Sequence, residues 1–448
     1  MSKIQESSLY YRSLIFLVGF PYRRFFRQIE VRGAENIPTG VPVIFAANHQ
    51  SALMDALAIL FFQKKPVVFM ARADMFQNPV AARFLRSLKI TPIYRIRDGF
   101  ENLSRNERQM KGAVDVLLDR GRMCLMPEGN QGHQHKLRPL VKGLVRIAYM
   151  AEEQLKDEAH VNIIPIGIDY NYYRHAGSDL VVTYGQPIEV KDSIEAYKEN
   201  QANGLNLLRE KLAESLSSLM HDIRSATNYD RIYWLCCLGT PAYLQVLLEK
   251  GAETEATTLA GLRFDARRNL GLFLDRLEME NPDQVDTWDR LCQNLKKLPG
   301  SPAEVSEWMD ERRGVGFSAL FAILTLILLP GLLLNLPAWL VARFACSMVE
   351  DTQMHSTFSF VLGMFVNALV YILVATFICL TMQVPWMLSI VTFIFVFAFG
   401  SVCERVRQSM RLHWRRLWYS FGERSKLLAI CKEDYEKLRV SMMEYLRK

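Results

Sequence analysis

Between residues 30 and 187, short apolar runs alternate with longer stretches in which apolar residues recur on one helical face. The runs at 41–46, 66–71, 91–94, 122–126, 162–170 and 180–184 have strand length, and the stretches at 52–62, 78–88, 102–120 and 140–155 have helical periodicity. Strands and helices taking turns in this way predict an α/β domain over 31–190. Beyond Pro187 the strand signal fades. Residues 193–223 and 243–295 are charged, Leu-rich and helical, with breaks at Gly239-Thr240-Pro241 and at Leu298-Pro299-Gly300-Ser301-Pro302. A helical accessory region over 191–303 follows, ending in a linker near 298–303.

From Phe317 the pattern becomes continuously apolar. Residues 317–342, 357–382 and 384–403 carry no charged side chain. The second and third are long enough to cross a bilayer, which takes about 20 apolar residues. Pro330 and Pro337 interrupt the first and predict a re-entrant or kinked hairpin, so 304–403 reads as a membrane region. Arg405, Arg407, Arg411, Arg415 and Arg416 follow directly and place the basic helical tail, 404–448, in the cytosol. At the other end, Tyr10 to Arg27 mixes Leu14, Phe16, Leu17 and Phe20 with Arg12, Arg23 and Arg24, the pattern of an N-terminal helix lying in the membrane interface over 1–30.

Composition adds two bounds. A net charge of +7 suits an anionic membrane surface or a phosphorylated substrate, and no basic run with interleaved aromatics points to nucleic acid. The eight cysteines lie apart, apart from Cys236-Cys237 in an apolar helical patch, and no pair has C-x-x-C spacing, which favours reduced thiols over disulfides or a zinc site. Leu14 to Phe20 ends in Pro21 without a small-residue cleavage site, so no cleavable signal peptide is read.

The candidate chemistry begins at Asn48-His49-Gln50-Ser51-Ala52-Leu53-Met54-Asp55. His49 leaves an apolar strand and Asp55 enters a helix, a histidine base with a carboxylate able to hold its other nitrogen. Positions six apart in one helix lie about 120° apart. His49 must therefore precede the helix to meet Asp55. Downstream come Pro92-Ile93-Tyr94-Arg95, Pro127-Glu128-Gly129-Asn130 and Ile163-Ile164-Pro165-Ile166-Gly167. These four blocks, in this order over about 31–188, resemble the glycerolipid acyltransferase superfamily, which includes the glycerol-3-phosphate and lysophosphatidic acid acyltransferases. The resemblance implies an acyltransferase domain with a mixed central sheet flanked by helices. His49 to Asp55 is H-x5-D where the superfamily commonly has H-x4-D, a spacing similar to that of a subgroup acting on glycerol 3-phosphate or dihydroxyacetone phosphate. Gln131 stands where the third block commonly has arginine.

On this resemblance His49 is the general base and Asp55 its orienting partner, with Glu128 and Gly129 completing the catalytic set. The Gly-containing turn after residue 126 is placed to supply backbone donors for an oxyanion. Arg95 is the first candidate for the acceptor phosphate, with Arg97, Lys136 and Arg138 as further cations, since arginine matches phosphate bidentately. Lys142 belongs to the same set after the third block. His133 and His135 have no further Cys or His nearby in sequence, and no metal is expected. The implied reaction moves a fatty acyl group from acyl-CoA or acyl-carrier protein, as co-substrate and without a cofactor, to glycerol 3-phosphate. Alternative acceptors are a 1-acyl-glycerol 3-phosphate and another lipid hydroxyl, such as that of an amino-acid lipid. A scaffold with an inactive acyltransferase fold is the non-enzymatic alternative. The expected location is the bacterial inner membrane or the endoplasmic reticulum, with the catalytic half facing the cytosol.

Overall fold

The structure is a computed structural model that describes residues 4–93, 103–155, 158–173, 176–225, 227–251, 255–310 and 315–447. Arg95 and Arg97 lie outside the described residues. The chain divides into two compact units: residues 1–23, 29–169 and 180–222 form the first, and 24–28, 170–179 and 223–448 the second.

The first unit is built on an eight-stranded sheet. Its strands are β1 (Gln28–Arg32), β2 (Val43–Ala47), β3 (Val68–Arg72), β4 (Ile90–Ile93), β5 (Arg122–Leu125), β6 (Asn162–Tyr170), β7 (Asp179–Tyr184) and β8 (Ile188–Glu189). Along the sheet the order is β1-β7-β6-β2-β5-β3-β4, with β8 pairing antiparallel to β6. The centre is parallel: β2 lies between β5 and β6, with Ile44 level with Met123 on one side and Ile163 on the other. All five residues of β2 are buried, as a central parallel strand covered on both faces requires. The helices are α1 (Leu9–Phe25), α2 (Ala52–Leu60), α3 (Pro79–Ser87), α4 (Leu103–Leu118), α5 (Gly143–Leu155), α6 (Ile194–Glu199) and α7 (Gln201–Leu219). Leu117, Ile147, Leu212 and Leu216 from these helices pack with Ile44 and Ile163 in one core. The α/β expectation holds, and two strands are added to it. β1 escapes the apolar pattern because its buried position is Glu30, paired with Arg32 at 2.5 Å. β8 is too short to show a period.

The second unit is helical. α8 (Tyr229–Glu249), α9 (Leu259–Glu280), α10 (Pro282–Leu295) and α11 (Pro302–Asp310) form a bundle that α16 (Glu423–Arg447) joins from the far end of the chain. Trp288, Leu270, Leu274, Tyr435, Leu438 and Met442 share its core, and the Trp288 indole donates to Ser441 Oγ at 2.9 Å. Between the two parts of the bundle run α12 (Val315–Ile327), α13 (Leu329–Ser347), α14 (His355–Thr381) and α15 (Trp386–Tyr419). Among the described residues, three segments are long and apolar enough to cross a bilayer: 329–347, 352–381 and 386–407. Pro330 stands at the start of α13, where its missing N–H costs nothing, whereas Pro337 sits inside the helix without ending it. The first apolar segment thus breaks once, near Leu328, and its second piece reaches spanning length.

A polar cluster joins three of these helices. Asn335 Nδ2 donates to the carbonyls of Gly331 at 2.8 Å and Gly400 at 3.0 Å, and Tyr371 Oη donates to Asn335 Oδ1 at 2.6 Å. Gly400 leaves room for the Tyr371 ring, which a Cβ would meet at 2.6 Å. In an apolar surrounding such bonds fix which helices pair. Asn335→Leu should therefore lower stability by about 1–3 kcal/mol, because it strands the tyrosine hydroxyl and a buried carbonyl. Tyr371→Phe should cost less, about 0.5–1.5 kcal/mol. Unfolding of the detergent-purified protein in mixed micelles measures both, and an Asn335→Leu protein as stable as the parent would contradict this packing.

Candidate active site

β2 delivers the chain to the site, and Asn48 fixes its exit. The Asn48 amide donates to the Ile168 carbonyl at 2.9 Å and accepts from the Ile168 N–H at 2.7 Å, clamping the end of β2 to β6. His49 follows, with its side chain 17% exposed. It precedes α2, and the turn between them contains Ala52 at φ +32°, a conformation that L-residues seldom take. That turn absorbs the five-residue spacing. It brings the Asp55 carboxylate, on the first turn of α2, to 2.8 Å from His49 Nδ1.

Asp55 is fully buried, and one of its oxygens, Oδ2, also accepts the N–H groups of Gln50 and Ser51 at 2.8 Å each. Three donors and the N-terminal end of the α2 dipole hold the carboxylate in one place. The pairing assigns the proton to His49 Nδ1 and leaves Nε2 as the basic nitrogen. Behind α2, the Tyr22 hydroxyl donates to the Met54 carbonyl at 3.0 Å and seats the helix on α1.

A second segment, the loop after β5, closes on His49. Glu128 Oε1 accepts the His49 N–H at 2.7 Å, and the Gly132 N–H donates to the His49 carbonyl at 2.9 Å, so both sides of the His49 backbone are held by this loop. Gly129 makes the turn with φ +71°, and its amide donates to the Met126 carbonyl at 3.1 Å. The turn uses that N–H itself. Glu128 Oε2 accepts from Arg138 Nε at 2.8 Å and from the Arg138 N–H at 3.2 Å, while Arg138 Nη1 donates to the Gln131 carbonyl at 3.0 Å. Arg138 thus folds back over the backbone of Gln131 and Gly132, where a Cβ on Gly132 would meet its Nε at 2.8 Å. Its Nη2 has no hydrogen-bond partner among the described residues. Burial pushes the Glu128 carboxyl above the usual glutamate range, against the pull of Arg138 and the two backbone donors.

Residues 28–169 match a family model described as Acyltransferase. Over this segment the chain matches an acyltransferase domain. The crystal structure of the 1-acyl-sn-glycerophosphate (LPA) acyltransferase PlsC from Thermotoga maritima is similar at 19% identity, covering 47% of this chain and 79% of that chain with a TM-score of 0.35. No curated protein matches.

The acyltransferase domain gathers His49, Asp55, Glu128, Gly129 and Arg138 into one contact network, while Lys136 is half-buried on the same loop. Arg138 is tied to Glu128 instead of standing apart as a cation. Asn48 opens the motif, but its clamp to Ile168 has no signal in sequence, and Tyr22 reads as one more apolar helix residue. His133 is exposed and His135 buried, so the two do not converge; His135 instead lies with Asp169 and His221.

The raised carboxyl of Glu128 has a pH consequence. The folded chain binds this proton more tightly than the unfolded chain, so the residue's contribution to stability is present at low pH and lost as pH rises through its folded value. Glu128→Gln, which cannot ionise, should flatten the dependence of melting temperature on pH from the ordinary glutamate range upward. A slope unchanged by the substitution would remove Glu128 as its source.

Proposed function

We propose that the acyltransferase domain transfers a fatty acyl group from acyl-CoA or acyl-carrier protein to a hydroxyl of sn-glycerol 3-phosphate, giving a lysophosphatidic acid. The contact that carries this reading is His49 Nδ1 to Asp55 Oδ2 at 2.8 Å. His49 Nε2 takes the proton of the acceptor hydroxyl as its oxygen attacks the thioester carbonyl. The tetrahedral oxyanion then collapses, the C–S bond breaks, and the leaving thiolate receives the proton from His49. Neither an acyl-enzyme nor a cofactor enters these steps. Asp55 keeps the tautomer and stabilises the imidazolium. Glu128 and the turn at Gly129 hold His49 by its backbone and aim Arg138. Arg138, whose buried Nη2 has no hydrogen-bond partner among the described residues, stands in for the arginine absent at position 131 and meets the acceptor phosphate together with Arg95, Arg97 and Lys136. The H-x5-D resemblance supports glycerol 3-phosphate as acceptor.

His49→Ala should lower kcat by about 10²–10⁴-fold, and Asp55→Asn should do so on the same scale with little change in the apparent binding of either substrate. Labelled acyl-CoA with a panel of acceptors measures this. An alanine enzyme turning over at the parental rate would end the mechanism. A preference for 1-acyl-glycerol 3-phosphate, or for a neutral lipid hydroxyl, would replace the acceptor.

We further propose that the protein is an integral membrane enzyme of phospholipid synthesis, with its catalytic half and C-terminus both facing the cytosol, where acyl thioesters are found. Five arginines follow the last apolar stretch. Both flanks of the apolar region also lie together: Trp308 packs against Tyr419 with ring centroids 5.3 Å apart, and Arg415 Nη1 lies 3.4 Å from a Glu304 carboxylate oxygen. Further in, the rings of Phe321 and His413 are 4.5 Å apart. A chain that leaves beside the place where it went in has crossed an even number of times. α14 and α15 supply two crossings, and α12 with α13 then dips and returns. Exposed Phe16, Leu17 and Phe20 on α1 suit contact with the lipid interface. Cysteines introduced at positions 200 and 440 should react with an impermeant thiol reagent from the same face of sealed vesicles. Labelling from opposite faces would mean an odd number of crossings and would overturn the hairpin arrangement.

A further inference from the structure

Beneath the loop that carries Glu128 lies a cluster of groups that acyl transfer does not use. His135, Asp169 and His221 are all buried, and one ligand-capable atom from each lies within 4.8 Å of the others. They come from three places in the chain: the loop after β5, the end of β6, and the segment leaving α7. The backbone enforces the convergence. Gly167 and Asp169 share one face of β6, and a Cβ on Gly167 would run into the Leu219 carbonyl, so glycine there lets the end of α7 close onto the strand. Two residues further along each segment stand Asp169 and His221.

His135 Nδ1 and Asp169 Oδ1 are 3.3 Å apart. Two ligands on a tetrahedral ion at about 2.0–2.1 Å stand roughly 3.3–3.4 Å from one another. The rings of His135 and His221 are 5.1 Å apart between centroids and tilted by 40°. Imidazole nitrogen is a common ligand of transition metals. The carboxylate beside the two rings supplies the negative charge that a buried cation needs. Neighbouring Asp222 is engaged elsewhere, accepting from the Leu137 N–H at 2.8 Å and from Ser217 Oγ at 2.5 Å. Gln50, next to His49, places its Nε2 3.4 Å from His135 Nδ1.

We propose that His135, Asp169 and His221 form a zinc site that fastens the loop bearing Glu128 and Arg138 to β6 and to the end of α7. Two imidazoles and a carboxylate are a ligand set that suits this ion, with a fourth position left for water or a nearby carbonyl. The role is structural: the ion holds one wall of the site in place, and its presence does not depend on which acceptor the domain acylates.

Metal content tests this without an activity assay. The full-length protein, purified in detergent, stripped with a chelator and reconstituted with zinc sulfate, is expected to keep about one zinc per chain through gel filtration and to melt at a higher temperature than the stripped protein. Cobalt(II) in its place should give the visible absorption of a four-coordinate ion. His221→Ala and Asp169→Asn should each weaken zinc binding by more than the roughly 10- to 100-fold that follows loss of a neighbour merely hydrogen-bonded to a ligand. His133→Ala, at an exposed position, should keep the full equivalent. Asp169→Asn preserves side-chain shape, and circular dichroism of each variant separates loss of the ion from loss of the fold. A parental protein that rebinds less than about a tenth of an equivalent, with melting indifferent to zinc and chelator, would overturn the proposal. So would ligand variants that bind zinc as tightly as the parent.

Discussion

A carboxylate taken out of water costs several kcal/mol unless donors replace what it lost. Asp55 is fully buried and meets that demand with one oxygen that receives two backbone N–H groups and one imidazole. Each donor fixes something else. The Gln50 and Ser51 amides fix the turn, and with it the strained φ of Ala52; the imidazole fixes the plane of His49. A histidine free to rotate could satisfy neither the carboxylate nor a substrate hydroxyl reliably, so pre-organisation of the ring and burial of Asp55 are a single requirement. The clamp between Asn48 and Ile168 extends the requirement into the sheet, since any shift of β2 against β6 would carry His49 away from Asp55.

Glu128 repeats the same logic on a second segment with the opposite outcome. Its two oxygens face different partners, the His49 amide on one side and Arg138 on the other, yet burial still lifts its carboxyl above the ordinary range. Desolvation is the larger effect there. The carboxylate therefore serves best as a strut between a backbone and a guanidinium, and the guanidinium it holds is the group with a nitrogen left over. Arg138 reaches the Gln131 backbone from seven residues on and lies across Gly132, where a Cβ would meet its Nε at 2.8 Å.

Much of this was legible in the sequence, and the parts that were not have physical causes. The buried strands at 122–125 and 162–170 read correctly because central parallel strands are apolar throughout. β1 did not, because its inward residue is a glutamate neutralised by Arg32, and a period of two built on a charge looks like a loop. His49 and Asp55 were paired through the motif they resemble, with His49 placed ahead of the helix because positions six apart in one helix lie about 120° apart. Arg138 could be placed near the site but not against Glu128, because the loop's path is set by the contacts of Val141 and Gly132 rather than by any repeat. His135, Asp169 and His221 were out of reach altogether: a cluster closed by the approach of α7 to a glycine in β6 leaves no spacing along the chain. Arg95 and Arg97 stay assigned through the resemblance.

The helical unit shows how a single sequence rule can be right in kind and wrong in position. Proline ends a helix when nothing compensates the lost N–H, and at Pro330 the helix does restart. At Pro337 the same residue lies inside a continuous helix, because α13 is held along its length by Ala338 and Ala342 packed inward and by the bonds of Asn335, two residues before. Those bonds in turn depend on small residues: Gly331 lies against Cys403 and Gly400 against Tyr371, so the helices approach closely enough for one asparagine to reach two carbonyls. Van der Waals contact at glycine and hydrogen bonding at Asn335 are thus conditions for each other, and an apolar region with no hydrophobic drive of its own in lipid acquires a defined arrangement from a few polar atoms. The bundle formed by α8–α11 and α16 then sets the boundary condition, since its core uses both Trp308 and Tyr435 and closes the chain on itself around the apolar stretch.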